Sequence, residues 1–269
     1  MKAYLVIFSC IFFFRVLPAA GSTAGNVNQE EGFFKANQAY KAGSYPEAAE
    51  GYRRIIEASG PNGHLYYNLA NAYLRLDDIG RAILFYEKAR QHIPRDADLN
   101  FNLSYAHDQT RDSLSVSRDF LSSTFFWLDE LTLTEVFWAF VVVNGLFFSI
   151  LSVRLISKAE WTYYLLFALI FLEITSLSSL CLKNYQIQTD SRAVILTKEA
   201  DIFAGPDSLD TVLFQLHAGT MVRYERSEGG WSLVGLSNDK RGWIKSGDIA
   251  CILCPMSHSR PEGDGGIFP

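Results

Sequence analysis

Few residues in this 269-residue chain carry reactive chemistry, and none falls at a catalytic spacing. Four cysteines and five histidines are the whole supply of soft ligands and nucleophiles. Cys251-Ile252-Leu253-Cys254 has the form of a redox or metal motif, but no second pair completes a zinc site. On an extended strand their Cα atoms would lie about 10 Å apart, too far for a bridge; a turn before Pro255 would close them. His64, His92, His107, His217 and His258 are scattered, with no zincin spacing and no phosphate-binding loop elsewhere. The expectation is a protein without catalytic, metal or cofactor-binding residues. What stands out instead is a set of amides, Asn37, Asn68, Asn71 and Asn102, and two polar residues inside long apolar runs, Asn144 and Glu173.

The amides sit in a self-similar stretch. Ala36-Asn37 matches Ala70-Asn71, Tyr45 matches Ile79, Ala48 matches Ala82, and Tyr52 matches Tyr86. Each pair is 34 residues apart, and small residues fall where two helices must approach closely. Gly43 and Asp77-Asp78 mark inner turns, Ser59 to Gly63 marks the turn between copies, and Pro94 stops the second copy. Helices are expected at 29–42, 45–58, 63–76, 79–92 and 97–110, the last acting as a terminal cap. Residues 32–94 thus resemble two tandem tetratricopeptide repeats, within a repeat domain at 28–110. The resemblance implies an inner wall made by the first helix of each hairpin. That wall would carry Asn37, Tyr40, Lys41, Asn68, Asn71, Arg75, Asn102 and Tyr105. Asparagine amides on such a wall suit an extended peptide backbone; the alternative is that they only bridge adjacent helices. Some tetratricopeptide domains clamp a C-terminal carboxylate, but Phe33 and Asp98 stand where that clamp has lysine. Protein binding of a general kind is the expectation.

Apolar residues are unevenly placed. Lys2 followed by Ala3 to Phe14 and the small residues Ala19 to Ala24 reads as an export signal over 1–24, with a retained anchor or a lipid-bearing Cys10 as alternatives. Residues 111–134 read as a polar linker followed by an aromatic segment that lies in the membrane interface or, alternatively, docks onto the repeats, and Thr132 with Glu135 as a capping box. Two spans follow, at 135–156 and 161–182, each about 20 apolar residues and long enough for a hydrocarbon layer of roughly 30 Å. Arg154 and Lys158 in the loop 154–160 place it in the cytoplasm by the positive-inside rule. The export signal independently places the repeats outside. Asn144 and Glu173 fall at matched depth in the antiparallel spans, and a carboxylate at that depth costs on the order of 2.5–3.5 kcal/mol on insertion scales. They are expected to face each other or the spans of a partner subunit.

Residues 190–251 carry short apolar runs with turn signals every eight to twelve residues. His217-Ala218-Gly219-Thr220 makes a turn, Trp231 lies on one strand, and Gly242-Trp243-Ile244 on the next. That order resembles a bacterial SH3-like domain, with Trp231 and Trp243 as core or rim packing. Residues 255–269 are rich in Pro and Gly and read as a disordered tail.

The fold class expected is therefore a multidomain membrane protein: an all-α tetratricopeptide solenoid, two transmembrane helices and a small all-β SH3-like barrel. A net charge of −5 without clustered Lys and Arg argues against a nucleic-acid partner. Over almost its whole length this arrangement resembles the BatE-type proteins of bacterial aerotolerance (Bat) operons. The resemblance implies a non-enzymatic inner-membrane scaffold, working with von Willebrand A-domain membrane proteins and, on the cytoplasmic side, a MoxR-type ATPase. The rival expectation is a cell-envelope sensor that binds peptidoglycan peptides through the SH3-like domain.

Overall fold

The computed structural model describes residues 24–112, 125, 127–157, 159–236 and 240–253. The export signal, most of the linker, Cys10, Cys254, Lys158, His258 and the tail at 255–269 lie outside the described residues. The described residues fall into two compact units, one within 27–130 and 186–253 and the other within 24–26 and 131–185.

The first unit begins with five helices: α1 (Ala24–Lys41), α2 (Tyr45–Ser59), α3 (Gly63–Arg75), α4 (Ile79–Arg90) and α5 (Ala97–Asp108). The starts of α3, α4 and α5 follow from their caps. Asn62 accepts from the amides of His64 and Leu65, Asp78 from Arg81, and Asp96 from Leu99, each satisfying donors that a helix start leaves open. Pro46 sits in the first turn of α2, where its missing donor costs nothing. The 34-residue offset reappears in the backbone: Gly43 (φ 80°) and Asp77 (φ 59°) adopt the same left-handed turn. Ala48, Ala70, Ala72 and Ala82 are completely buried or nearly so, letting α2, α3 and α4 pack closely around Tyr52, Leu69 and Tyr86.

The C-terminal part of this unit is seven strands: β1 (Arg192–Ile195), β2 (Glu199–Phe203), β3 (Val212–His217), β4 (Met221–Glu228), β5 (Trp231–Gly235), β6 (Arg241–Lys245) and β7 (Ile249–Cys251). They form one antiparallel sheet in the order β3-β2-β6-β5-β4-β1-β7. Side chains alternate across a strand, and β1 uses both faces. Ala193 and Ile195 enter a core with Ile202, Leu216, Val222, Val234 and Ile244. Val194, between them, enters the helical core with Ile83, Tyr86, Leu99 and Leu103. Ile252, just past β7, joins it there at 3% exposure. The sheet therefore has its own core and also packs into the helical core through Val194 and Ile252, although more than 70 residues of sequence separate Asp112 from Asp190. The sequence reading stopped the sheet domain at 251 and did not foresee the docking of Ile252. Cys251 is disulfide-bonded, and Cys181 is free.

The chain between contributes a short helix α6 (Trp127–Glu130) to the first unit, with Leu128 fully buried. The second unit holds α7 (Leu133–Ile156) and α8 (Glu160–Thr189), the latter running on to the start of the sheet. Both are long and apolar enough to cross a membrane. The capping box starts α7: Thr132 Oγ1 accepts from the Glu135 amide and the Glu135 carboxylate accepts from the Thr132 amide at 2.9 Å. Ser149, Ser152 and Thr175 donate back to carbonyls of their own helix, so these hydroxyls cost little in an apolar setting. From the last turn of α7, Arg154 donates to the Ala159 carbonyl just before α8 at 3.0 Å.

Candidate functional site

Three polar constellations emerge, and only the first two coincide with residues singled out in the sequence. On the first helices of the hairpins, the amide carbonyls face inward. Tyr52 OH donates to Asn37 Oδ1 at 2.6 Å, and 34 residues on Tyr86 OH donates to Asn71 Oδ1 at 2.5 Å. Burial pushes the Tyr52 phenol up to about 12 and raises that of Tyr86 as well. Both hydroxyls therefore stay protonated donors at neutral pH, which fixes the way each amide points. Asn102 Nδ2 continues the line, donating to Asn71 Oδ1 and to Tyr67 OH, both at 3.0 Å. These asparagines bridge helices within and between hairpins. Tyr40 packs edge-on against Tyr45 at 5.3 Å, and its hydroxyl hydrogen-bonds to exposed Arg75, raising the affinity of that guanidinium for its proton. Asn68 is half-buried and outside this line of bonds, Lys41 is exposed at the end of α1, and Tyr105 is 53% exposed on α5. Asn37, Asn71 and Asn102 are thus committed to the scaffold, whereas Lys41, Arg75 and Tyr105 offer solvent-facing contacts.

In the second unit Asn144 Nδ2 donates to Glu173 Oε1 at 2.7 Å, tying α7 to α8. The other carboxylate oxygen of Glu173 is shielded from solvent and has no hydrogen-bond partner.

The third constellation is a seam between helices and sheet. Glu87 on α4 is 1% exposed. Its Oε2 lies 2.9 Å from Arg90 and 3.2 Å from Arg192 of β1, and its Oε1 lies 3.9 Å from His107 of α5. Burial works to raise its carboxyl pKa, but His107 and the two guanidinium groups outweigh burial and hold it below the usual range. Arg192 is itself gripped by Asp190 at 2.7 Å. Further along, Asp112 accepts from the His217 amide at 2.8 Å and from Thr220 Oγ1 at 2.7 Å, with its other oxygen 3.1 Å from His217 Nδ1. Burial again acts upward on its pKa, and those hydrogen bonds bring it down. Two glycines make room. A Cβ on Gly80 would sit 2.6 Å from the Ile195 carbonyl oxygen, and one on Gly219 (φ 87°) 2.6 Å from Thr110 Cγ2. Besides Gly80, the sequence carried a signal of this seam in an acid, Glu87, between buried Tyr86 and Ala89 on a face the helix period turns inward.

Among the described residues no group of three or more His, Cys, Asp or Glu could hold a metal ion. No family model matches the chain. A 56-residue stretch, 21% of the chain, is 36% identical to the general transcriptional corepressor trfA of Dictyostelium discoideum. The chain spans only 4% of that protein's length.

Proposed function

We infer that this chain is a membrane-tethered protein-binding scaffold rather than an enzyme. In this reading the helical hairpins at 28–110 are tetratricopeptide repeats, the sheet at 190–251 is an SH3-like barrel, and α7 and α8 cross the bilayer as a hairpin. The observation that carries it is the packing of the sheet into the helical core. Residues that pack together must lie on one side of a membrane, so the intervening segment crosses it an even number of times. Two apolar helices joined by a short loop with Arg154 and Lys158 meet that requirement. Topology by the positive-inside rule then puts repeats and sheet in the periplasm of a bacterial inner membrane.

The solvent-facing Lys41, Arg75 and Tyr105, on helices that Asn37, Asn71 and Asn102 tie to their neighbours, are the contacts we assign to a protein partner. The order of segments keeps the Bat-type scaffold as the specific proposal, with von Willebrand A-domain membrane proteins as direct partners and a MoxR-type ATPase reached through them. Affinity purification of the detergent-solubilised chain tests it. Recovery of such membrane proteins, lost on Arg75→Glu, supports the proposal. Retention on murein with no membrane partner favours the peptidoglycan sensor instead.

A further inference from the structure

Among the described residues β3 is an edge strand, hydrogen-bonded in the sheet only to β2. The Ala218 amide bonds inward to the Lys198 carbonyl, whereas the His217 amide points outward and bonds to Asp112. Backbone direction alternates along an antiparallel strand, so the amide and carbonyl of Gln215 face the same outer side as the His217 amide. One position of this outer row is thus already used to receive an acceptor from outside the sheet.

The surface beside the open part of the row is apolar. Leu209 is 92% exposed, Leu213 49% and Val212 45%. The loop that presents Leu209 is ordered by its own bonds: Leu209 donates to Asp207 Oδ1 at 3.0 Å, and the Ala204 amide to the Thr211 carbonyl at 3.0 Å. A register shift opposite Ile202 and Phe203 marks a bulge at Leu213. Edges kept unpaired for solubility carry bulges and charge. This one has the bulge, yet leucines and a valine stand where charge would protect it.

The rim has one sign. From Glu199 to Leu216 the chain carries Glu199, Asp201, Asp207 and Asp210 and no lysine or arginine. Two cations approach from elsewhere: Arg111, 3.6 Å from Glu199, and Lys240, over the Phe214 ring. Asp201 accepts from the Gln215 side chain at 2.7 Å, which still leaves the carboxylates in excess. An acidic rim repels an anionic bilayer and attracts a basic chain.

We propose that the outer edge of β3 is a docking site for an extended segment of a partner protein that alternates lysine or arginine with apolar residues. The segment adds a strand through the Gln215 backbone. Its apolar side chains cover Val212 and Leu213, and its cations meet the acidic rim.

The test titrates the full chain in detergent micelles with a fluorescent decapeptide alternating Lys and Val. Two controls run beside it, the Glu/Val counterpart and a Lys/Val peptide N-methylated at alternate residues. Two variants, Gln215→Pro and Leu213→Lys, are compared after their melting temperatures have been matched to the parent. Proline is tolerated on an edge strand where its amide faced out, and Leu213→Lys keeps the backbone while adding a repelling charge. The expected result is binding of the Lys/Val peptide that weakens with salt and falls at least about tenfold on N-methylation and in either variant. Equal binding of the Glu/Val or N-methylated peptide overturns the proposal. So does no binding at about 1 mM peptide, or self-association of the parent that Gln215→Pro abolishes, which would assign the edge to a second copy.

Discussion

Replacing Arg192 by alanine should loosen the helices and the sheet together. The Glu87 side chain is 2% exposed and Arg192 lies 3.2 Å from its Oε2, so the variant strands a carboxylate in the core. Removing one member of a buried ion pair costs about 3–5 kcal/mol. Arg90 remains at 2.9 Å and is 39% exposed, which places the loss near the lower end, about 3 kcal/mol. At 1.4 kcal/mol per decade that is roughly a hundredfold rise in the open population. Hydrogen exchange on the full chain in detergent reads it region by region. Amides of α4 and of β1 should both accelerate by about two orders of magnitude. The double variant Glu87→Leu/Arg192→Leu should recover part of the loss, because the stranded Glu87 carboxylate is gone while Asp190 still lacks its guanidinium partner. Acceleration confined to β1, or a double variant as damaged as the single one, would refute the reasoning.

Other outcomes follow from the same contacts. Acid should open the seam: Glu87 and Asp112 have folded pKa values below their unfolded ones, so their stabilisation is present at neutral pH. It fades as pH falls below roughly 4, and thermal melts between pH 7 and 3 should show a smaller drop for Glu87→Gln/Asp112→Asn. Asn71→Ala removes the acceptor of the buried Tyr86 hydroxyl and should cost about 1–3 kcal/mol in denaturant unfolding. Asn68→Ala, outside that line of bonds, should stay within about 0.5 kcal/mol. Gly219→Ala forces a methyl group to within 2.6 Å of Thr110 Cγ2 at a positive φ and should lower the melting temperature more than Gly229→Ala, which meets open space. Glu173→Leu should weaken co-purification of membrane partners, and unchanged recovery would remove that role from the intramembrane pair.

The helical hairpins were legible in the sequence because their signals are local. Ala36, Ala70, Ala48 and Ala82 are small where helices touch, and Tyr52 and Tyr86 recur at the same offset as the asparagines that hold them. The two long apolar helices were legible from length and hydropathy, although α8 runs on to Thr189 through Lys183 and Tyr185, past the 182 expected. The role of the asparagines was not legible. An amide at helical spacing looks the same whether it awaits a peptide or grips a tyrosine on the next helix. The seam was invisible for another reason. Arg192 meets Glu87, and His217 meets Asp112, each across 105 residues, and no periodicity links partners so far apart. Gly80 was the overlooked hint, since glycine inside a helix costs about 1 kcal/mol unless something must come close, and here the Ile195 carbonyl does.

Labelling with a membrane-impermeant maleimide tests the central claim most directly. Single cysteines at Lys41, at Leu209 and at Ser157 in the loop between α7 and α8, in a background with all four native cysteines (Cys10, Cys181, Cys251 and Cys254) replaced by serine, would be probed in right-side-out and inverted membranes. The account predicts that Lys41→Cys and Leu209→Cys react from the same face and Ser157→Cys from the opposite one. Reaction of the first two from opposite faces, or of all three from one face, would contradict it.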